Sequence, residues 1–321
     1  MAATLEIELR SLGRSPVSIP RIALGCGNFG GVGSSPQFFG RGLSEQQAFE
    51  VMDAAWELGI AHFDTADAYG GGRSERAIGN WIRSRGLRPQ LTTKTFNPME
   101  EGADHGLAPE RIKRQLEQSL ERLGVECVDL YLAHDHDPEV SLADAFAAFG
   151  ELQQDGKLRA YGVSNFDADQ LAAALRAGAP VAVQNAHSLL ERGDATAVLP
   201  LCEEADVAYL AFSPLAGGWL TGKYQRGERY PEGSRMTQRP EPYRDFERDG
   251  TFDALERLES FARKRGTSLA GLALAWLLAD PRVTQIVVGP GRPEHLDPVR
   301  EALSAPLSVE ERGQVTRMVS P

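Results

Sequence analysis

The stretch F-D-T-A-D-A-Y-G, Phe63 to Gly70, follows a short apolar segment at 59–62, which itself follows an amphipathic run at 44–58. Within that run Ala48, Val51, Met52, Ala55 and Trp56 recur at helical spacing, so the order reads helix, tight turn, strand, loop. The loop sets a carboxylate, Asp64, where the strand ends and a phenol, Tyr69, five residues on. Taken alone, the pair also fits an Asx turn and a loop-stabilising hydroxyl. What the rest of the chain places at other strand ends decides between these readings.

Outward from this unit the alternation continues. Upstream, 5–10 and 17–21 read as a hairpin across Gly13-Arg14-Ser15-Pro16, and 22–25 as a short strand running into a Gly-rich loop at 27–33. Downstream, short apolar segments at 91–93, 128–133, 160–163, 181–183, 207–212 and 285–288 alternate with amphipathic ones at 74–85, 109–123, 142–154, 167–176, 195–204, 252–264, 269–278 and 293–303. With 22–25 and 61–63 that makes eight strands separated by helices, which implies parallel strands with right-handed crossovers. The expected fold is a (β/α)8 TIM barrel, its active site at the strand C-terminal ends and the N-terminal hairpin closing the bottom. A doubly wound sheet fits less well, because no G-x-G-x-x-G opens a helix behind the first strand. The long aperiodic stretch 222–250 follows the seventh strand and reads as a lid over the active face.

The 321 residues show no linker or composition shift, so one domain over 1–321 is expected. A net charge of −11 without a basic run argues against nucleic acid and anionic membranes as partners. No apolar stretch reaches the roughly 18 residues a bilayer requires. The N-terminus, MAATLEIELR, lacks the pattern of a signal peptide, so a cytoplasmic location is expected. Three cysteines, Cys26, Cys127 and Cys202, are too few and too scattered for a disulfide framework or a zinc site; Cys127 and Cys202 read as buried free thiols.

The strand ends carry the chemistry. The third ends in Lys94, the fourth in His134-Asp135-His136, the fifth in Ser164-Asn165, the sixth in Gln184-Asn185 and the seventh in Phe212-Ser213-Pro214. A lysine at the end of an apolar strand needs a carboxylate, and Asp64 is the available partner. An ammonium near a phenol favours the phenolate, which is expected to lower the pKa of Tyr69 and suit it to proton donation. His134 can hold the substrate oxygen. These four groups protonate a carbonyl oxygen but supply no electrons, so a cofactor must bring the hydride.

The motifs F-D-T-A-D-A-Y-G, G-G-R-S-E-R-A-I-G, T-T-K-T, D-L-Y-L-A-H, Y-G-V-S-N-F, V-Q-N-A-H-S-L-L-E-R and F-S-P-L-A-G-G-W-L-T-G-K-Y follow one another over nearly the whole chain. In that order they resemble the aldo-keto reductases. The resemblance implies an NAD(P)H-dependent enzyme acting on a small-molecule carbonyl, or on an alcohol or sugar in reverse, with Tyr69 as general acid, Lys94 lowering its pKa, Asp64 paired with Lys94 and His134 orienting the carbonyl. It also implies that Ser164, Asn165 and Gln184 hold the nicotinamide amide and that Phe212 stacks on the ring. Ser213, Pro214, Leu215 and Gly217 would line the pyrophosphate, with Lys223 and Arg235 reaching it from the lid. Asn28 would sit beside the ribose and Phe29 would wall the substrate pocket. After the eighth strand the chain departs from the family pattern: Gly289-Pro290-Gly291-Arg292 leads to His295, and Pro298-Val299 stands where Glu-Asn is common. NADPH is the expected cofactor, since Arg292, Lys223 and Arg235 can serve a phosphate, with NADH as the alternative. His187 stands where tyrosine is common, near the nicotinamide pocket. The oligomeric state is left open.

Two rival functions remain. The pair His134 and His136 has metal-ligand spacing for a barrel hydrolase, but that chemistry needs further ligands, and of the six histidines only His187 is expected near them. His136 reads instead as a substrate-side or solvent residue, and no metal is expected. The resemblance extends to the β subunits of voltage-gated potassium channels, which bind NADPH and act partly as regulators; those carry Asn in place of His134. Trp219 can cover the bound cofactor or substrate, or belong to the packing. Phe38 and Phe39 can shape the pocket rim or simply pack their loop on the barrel. No long C-terminal loop follows the amphipathic segment at 308–319, so an open pocket fit for bulky carbonyl compounds is expected.

Overall fold

Strands that are apolar on both faces must be covered on both, and a closed parallel sheet ringed by helices does this. The computed structural model describes residues 6–319. In it β3 (Ile22–Gly25), β4 (His62–Asp64), β5 (Gln90–Thr95), β6 (Val128–Ala133), β7 (Leu158–Ser164), β8 (Ala182–Ala186), β9 (Ala208–Phe212) and β10 (Val283–Val288) close into a parallel barrel in the order β10-β3-β4-β5-β6-β7-β8-β9. The first and last of these pair directly, Ile286 with Ile22 and Val288 with Leu24. These are the eight strands expected from the sequence.

The preceding hairpin, β1 (Leu9–Ser11) and β2 (Ser18–Pro20), is shorter than the sequence implies; Leu5 lies outside the described residues. Its Leu12, Val17 and Ile19 form one apolar cluster with Leu130, Leu132, Ala160 and Leu210 of the barrel wall. The turn at Gly13 meets the start of β8 and β9, so the hairpin plugs the end of the barrel opposite the strand C-termini.

The surrounding helices are α1 (Glu45–Glu57), α2 (Arg73–Arg85), α3 (Pro109–Leu123), α4 (Leu142–Gln154), α5 (Ala168–Ala177), α6 (Val198–Ala205), α8 (Asp249–Lys264), α9 (Leu269–Leu278), α10 (Asp297–Ser304) and α11 (Val309–Met318), with a single turn, α7 (Arg235–Gln238), between α6 and α8. Reciprocal capping boxes start α1 (Ser44 with Gln47), α5 (Asp167 with Gln170) and α11 (Ser308 with Glu311). The helix expected at 195–204 begins only at Val198, behind a 3-10 turn at Gly193–Ala195. The segment expected at 293–303 splits into a 3-10 turn, Pro293–Leu296, and α10, whose first turn carries Pro298. No helix among the described residues is long and apolar enough to cross a membrane.

The segment 222–250 is more ordered than its aperiodic sequence implies. Trp219, fully buried, is ringed by Tyr224 at 5.1 Å, Phe252 at 5.5 Å, Tyr230 at 6.3 Å and Phe246 at 6.4 Å between centroids. It is the core of the lid rather than a cover for a ligand, because an indole surrounded by aromatics of its own segment has no face left to offer. Trp81 and Trp276 are buried in the helical layer. The last helix, α11, lies on the outer wall, where Thr316 accepts a hydrogen bond from Trp276 Nε1 at 2.8 Å.

Candidate active site

Lys94 is the largest fully buried charged side chain among the described residues, and its ammonium is spoken for on three sides. Nζ donates to Asp64 Oδ1 at 2.5 Å and to the Thr65 carbonyl at 2.9 Å, and lies 3.5 Å from Tyr69 Oη. The second oxygen of Asp64 accepts from Gln184 Nε2 at 2.7 Å. The His134 ring stands edge-on to Tyr69 with centroids 5.5 Å apart. Four side chains from the ends of β4, β5 and β6 and from the loop behind β4 thus converge, as the sequence reading requires.

Burial alone would strip the Lys94 proton, but Asp64 and Tyr69 beside it outweigh that and hold its pKa above the ordinary lysine value. Burial drives His134 well below the ordinary histidine value, and Lys94 adds to the shift, so the imidazole is neutral. Tyr69 corrects the sequence expectation. Lys94 does pull its pKa down, but burial pushes harder and the net displacement is upward. A phenolate at this depth loses more hydration than one ammonium returns. The hydroxyl therefore keeps its proton at neutral pH.

The loop carrying Tyr69 is pinned from behind. Ser74, in the first turn of α2, exchanges a 2.9 Å hydrogen bond with Thr65 and donates to the Cys26 carbonyl at 3.0 Å. Glu75, fully buried, accepts from Thr93 Oγ1 and from Arg122 Nε, both at 2.6 Å. This explains the G-G-R-S-E-R run as an anchor rather than a ligand site. Asp67 in the same loop is pushed up to about 7 by burial and by Glu75 nearby. Since the folded value lies above that of the unfolded chain, Asp67 contributes most to stability below about pH 4, and that contribution is lost as pH rises through about 7. Asp67→Asn should accordingly gain on the wild type between pH 5 and pH 8, by up to roughly 2.5 kcal/mol, in urea unfolding at the two pH values. An unchanged difference between the two would mean that Asp67 is ionised throughout.

The residues expected around a nicotinamide interlock with one another. Ser164 Oγ donates to the Gln184 carbonyl at 2.8 Å, and Asn165 Nδ2 donates to the His134 carbonyl at 2.9 Å. Gln184 has its amide nitrogen on Asp64, which leaves its role toward a ligand to the remaining oxygen. Phe212 ends β9 with its side chain half-buried. Behind it Ser213, Ala216, Gly217 and Gly218 all adopt positive φ. Left-handed backbone at non-glycine residues is costly and concentrates at ligand sites. A Cβ on Gly217 would fall 2.6 Å from the Tyr243 ring, and one on Gly218 would fall 2.3 Å from Lys223 Cε, so the lid lies directly on this turn. Pro214 is buried there and Leu215 half-buried.

Cations gather beside this turn. Burial and Arg235 lower the pKa of Lys223, and burial, Arg292 and Lys223 lower that of His295. His295 Nδ1 accepts from the Gly291 amide at 3.2 Å, and Gly289 precedes that turn. Asn28 Nδ2 donates to the Pro290 carbonyl at 2.8 Å, joining the loops behind β3 and β10, while its Oδ1 is buried without a hydrogen-bond partner.

Several expected roles move. Phe29 has no exposed surface and belongs to the packed core, bridged through its backbone to Leu43, so it does not wall an open pocket. Phe38 is buried too, with the guanidiniums of Arg41 and Arg239 near 5.8 and 5.7 Å from its ring. His187 is buried against Tyr209 and Trp276, in the wall rather than the mouth, and His136 packs edge-on against Phe166. Cys26 and Cys202 are buried, but Cys127 is partly exposed. The sequence reading missed Asn97, whose Nδ2 lies 3.3 Å from His134 Nδ1, and Arg111, which holds the Asn97 carbonyl at 2.8 Å. The T-T-K-T-F-N run contained Asn97, three residues beyond Lys94, as a legible but unused signal.

A family model, aldo/keto reductase family, matches residues 21–319. L-glyceraldehyde 3-phosphate reductase of Escherichia coli K12 is 31% identical, covering 98% of this chain and 93% of its own. A putative voltage-gated potassium channel subunit beta of Schizosaccharomyces pombe is 32% identical over 91% of this chain and 86% of its own, and an NADH-specific methylglyoxal reductase of Escherichia coli K12 is 29% identical over 92% of each. Among solved structures, the glycerol dehydrogenase from Gluconobacter oxydans superposes with a TM-score of 0.82 at 27% identity, covering 99% of this chain and 95% of that one.

Proposed function

Because the chain belongs to the aldo/keto reductase family and is an NAD(P)H-dependent oxidoreductase acting on carbonyl groups, we propose that Tyr69 is its proton donor, with Lys94, Asp64 and His134 completing the machinery. The observation that carries this is the Lys94 ammonium, held between Asp64 at 2.5 Å and Tyr69 Oη at 3.5 Å. A nicotinamide cofactor, when bound, would supply the hydride. Tyr69 gives its proton to the carbonyl oxygen as negative charge develops there. Lys94 steadies the phenolate left behind, and Asp64 keeps Lys94 charged. Neutral His134 donates to the same oxygen and orients it.

The cofactor set we assign is Asn28, Ser164, Asn165, Gln184, Phe212, Ser213, Pro214, Leu215, Gly217, Lys223, Arg235, Gly289, Gly291 and His295. The unpartnered Asn28 Oδ1 and the strained turn at 213–218 with Lys223 against it fit a dinucleotide. The gathering of Lys223, Arg235, Arg292 and His295 on a chain of net charge −11 favours NADPH over NADH. A cytoplasmic setting belongs to the same proposal.

The test is consumption of NADPH and NADH with small and bulky aldehydes, ketones and sugars. NADPH should support the higher kcat/KM, and Arg292→Ala should raise the NADPH KM about tenfold with little change for NADH, since a charge-assisted contact contributes about 1.5–3 kcal/mol. Equal use of both cofactors, unaltered by Arg292→Ala, would sink the NADPH preference. Binding of both without turnover of any carbonyl would sink the assigned catalytic roles.

A further inference from the structure

His134 has two ring nitrogens, and its neutral ring carries one proton. Which nitrogen holds it decides whether His134 can donate a hydrogen bond to a carbonyl oxygen or can only accept one. The Asn97 amide nitrogen lies 3.3 Å from Nδ1. In this orientation the amide NH2 has only protons to offer, so Nδ1 would accept and the ring proton would sit on Nε2. With the amide reversed, its oxygen would call for a proton on Nδ1 and leave a bare lone pair on Nε2, which repels the oxygen of a carbonyl.

Asn97 is not free to drift. Its carbonyl accepts from Arg111 Nη2 at 2.8 Å, and Arg111 Nη1 donates to Thr95 Oγ1 at 2.7 Å and to the Gly106 carbonyl at 3.1 Å. Arg111 is itself only 2% exposed. Its buried guanidinium spans the start and the end of the loop that leaves β5, and so holds that loop as a rigid bracket beside His134. On the other side Asn165 Nδ2 fixes the His134 carbonyl at 2.9 Å, and the His134 amide donates to the Thr95 carbonyl at 2.9 Å. The backbone and one ring nitrogen of His134 are thereby tied down, and Nε2 is the nitrogen left for the substrate.

We propose that Asn97, bracketed by Arg111, is a positioning residue that sets His134 as the Nε2–H tautomer and so makes it a hydrogen-bond donor to the substrate carbonyl. This rests on the reading of His134 as the group that orients the carbonyl. The charged and titratable groups facing His134 are Lys94 from β5, with Asp64 of β4 behind it, and Tyr69 from the loop after β4. The hydrogen bond at Nδ1 is that of Asn97, and this contact would set the tautomer.

Two measurements test it. In wild-type protein labelled with 15N-histidine, the His134 resonances, assigned by their loss in His134→Ala, should show a protonated Nε2 and an unprotonated Nδ1. The reverse pattern overturns the proposal whether or not any Asn97 variant folds. In Asn97→Asp a carboxylate faces Nδ1 and draws the proton there. Carbonyl reduction should fall about a hundredfold at pH 8, the scale for losing one donor to a developing oxyanion. It should recover as pH falls and the ring takes a second proton on Nε2, while the KM for cofactor stays within twofold. Asn97→Ala should lose activity without acquiring that acid recovery. If Asn97→Asp tracks the wild-type pH profile while His134→Ala is inactive, the tautomer role is wrong and the reading of His134 stands. If His134→Ala keeps wild-type kcat, the reading of His134 fails and takes the inference with it.

Discussion

Tyr69→Phe should lower the rate of carbonyl reduction by about 10²–10⁴-fold and leave cofactor affinity within a few-fold of wild type. The variant removes one oxygen and keeps the ring that stands edge-on to His134, so packing is preserved. What goes is the hydroxyl that lies 3.5 Å from Lys94 Nζ. Since burial keeps the phenol protonated through the neutral range, the wild type should hold its acid form there and lose kcat only on the alkaline side. Cofactor binding followed by fluorescence, alongside single-turnover reduction, separates the two effects. Activity within tenfold of wild type would place the acid elsewhere.

Lys94→Met should cost both function and fold. Met fills much of the same volume but leaves the Asp64 carboxylate, nearly without exposed surface, with Gln184 as its remaining side-chain partner at 2.7 Å. Breaking a buried pair by removing one member costs about 3–5 kcal/mol, because the remaining charge has no compensation. Carbonyl reduction should fall at least as far as in Tyr69→Phe. The double variant Lys94→Met with Asp64→Asn should regain part of the stability and none of the activity, since it restores neutrality without restoring the ammonium. Urea unfolding at pH 7 measures the first effect. A loss below about 1 kcal/mol in the single variant would show that the two groups do not meet as a buried ion pair.

The barrel was legible because strand and helix periods alternate without a break, and the pairing of Lys94 with Asp64 because a buried ammonium admits few alternatives. Quantities set by depth were not legible. That Tyr69 ends up above its ordinary pKa rather than below it depends on how much water the closed loops exclude, which spacing does not reveal. Phe29 was misplaced, and Trp219 left undecided between ligand cover and packing, for a related reason: an aromatic in a Gly-rich loop looks available until the loop's own packing is seen. Asn97 escaped notice because its meaning comes from Arg111, fourteen residues on, folding the chain back to meet it. Helix starts were missed where proline or a 3-10 turn delays the first hydrogen bond, as at Val198 and Asp297.

The seam between β3 and β10 bears on how the molecule is made. The barrel strand that emerges first from the ribosome, β3, finds one of its two partners only after residue 288 has been synthesised. Until then β3 and β9 each present an unpaired edge, and the Asn28 to Pro290 clasp cannot form. The proposed dinucleotide end of the site is therefore completed only with the last strand, late in folding, while the β4–β5–β6 arc that carries Asp64, Lys94 and His134 at its ends can assemble early. A nascent chain would own its proposed proton machinery before the proposed dinucleotide site was complete.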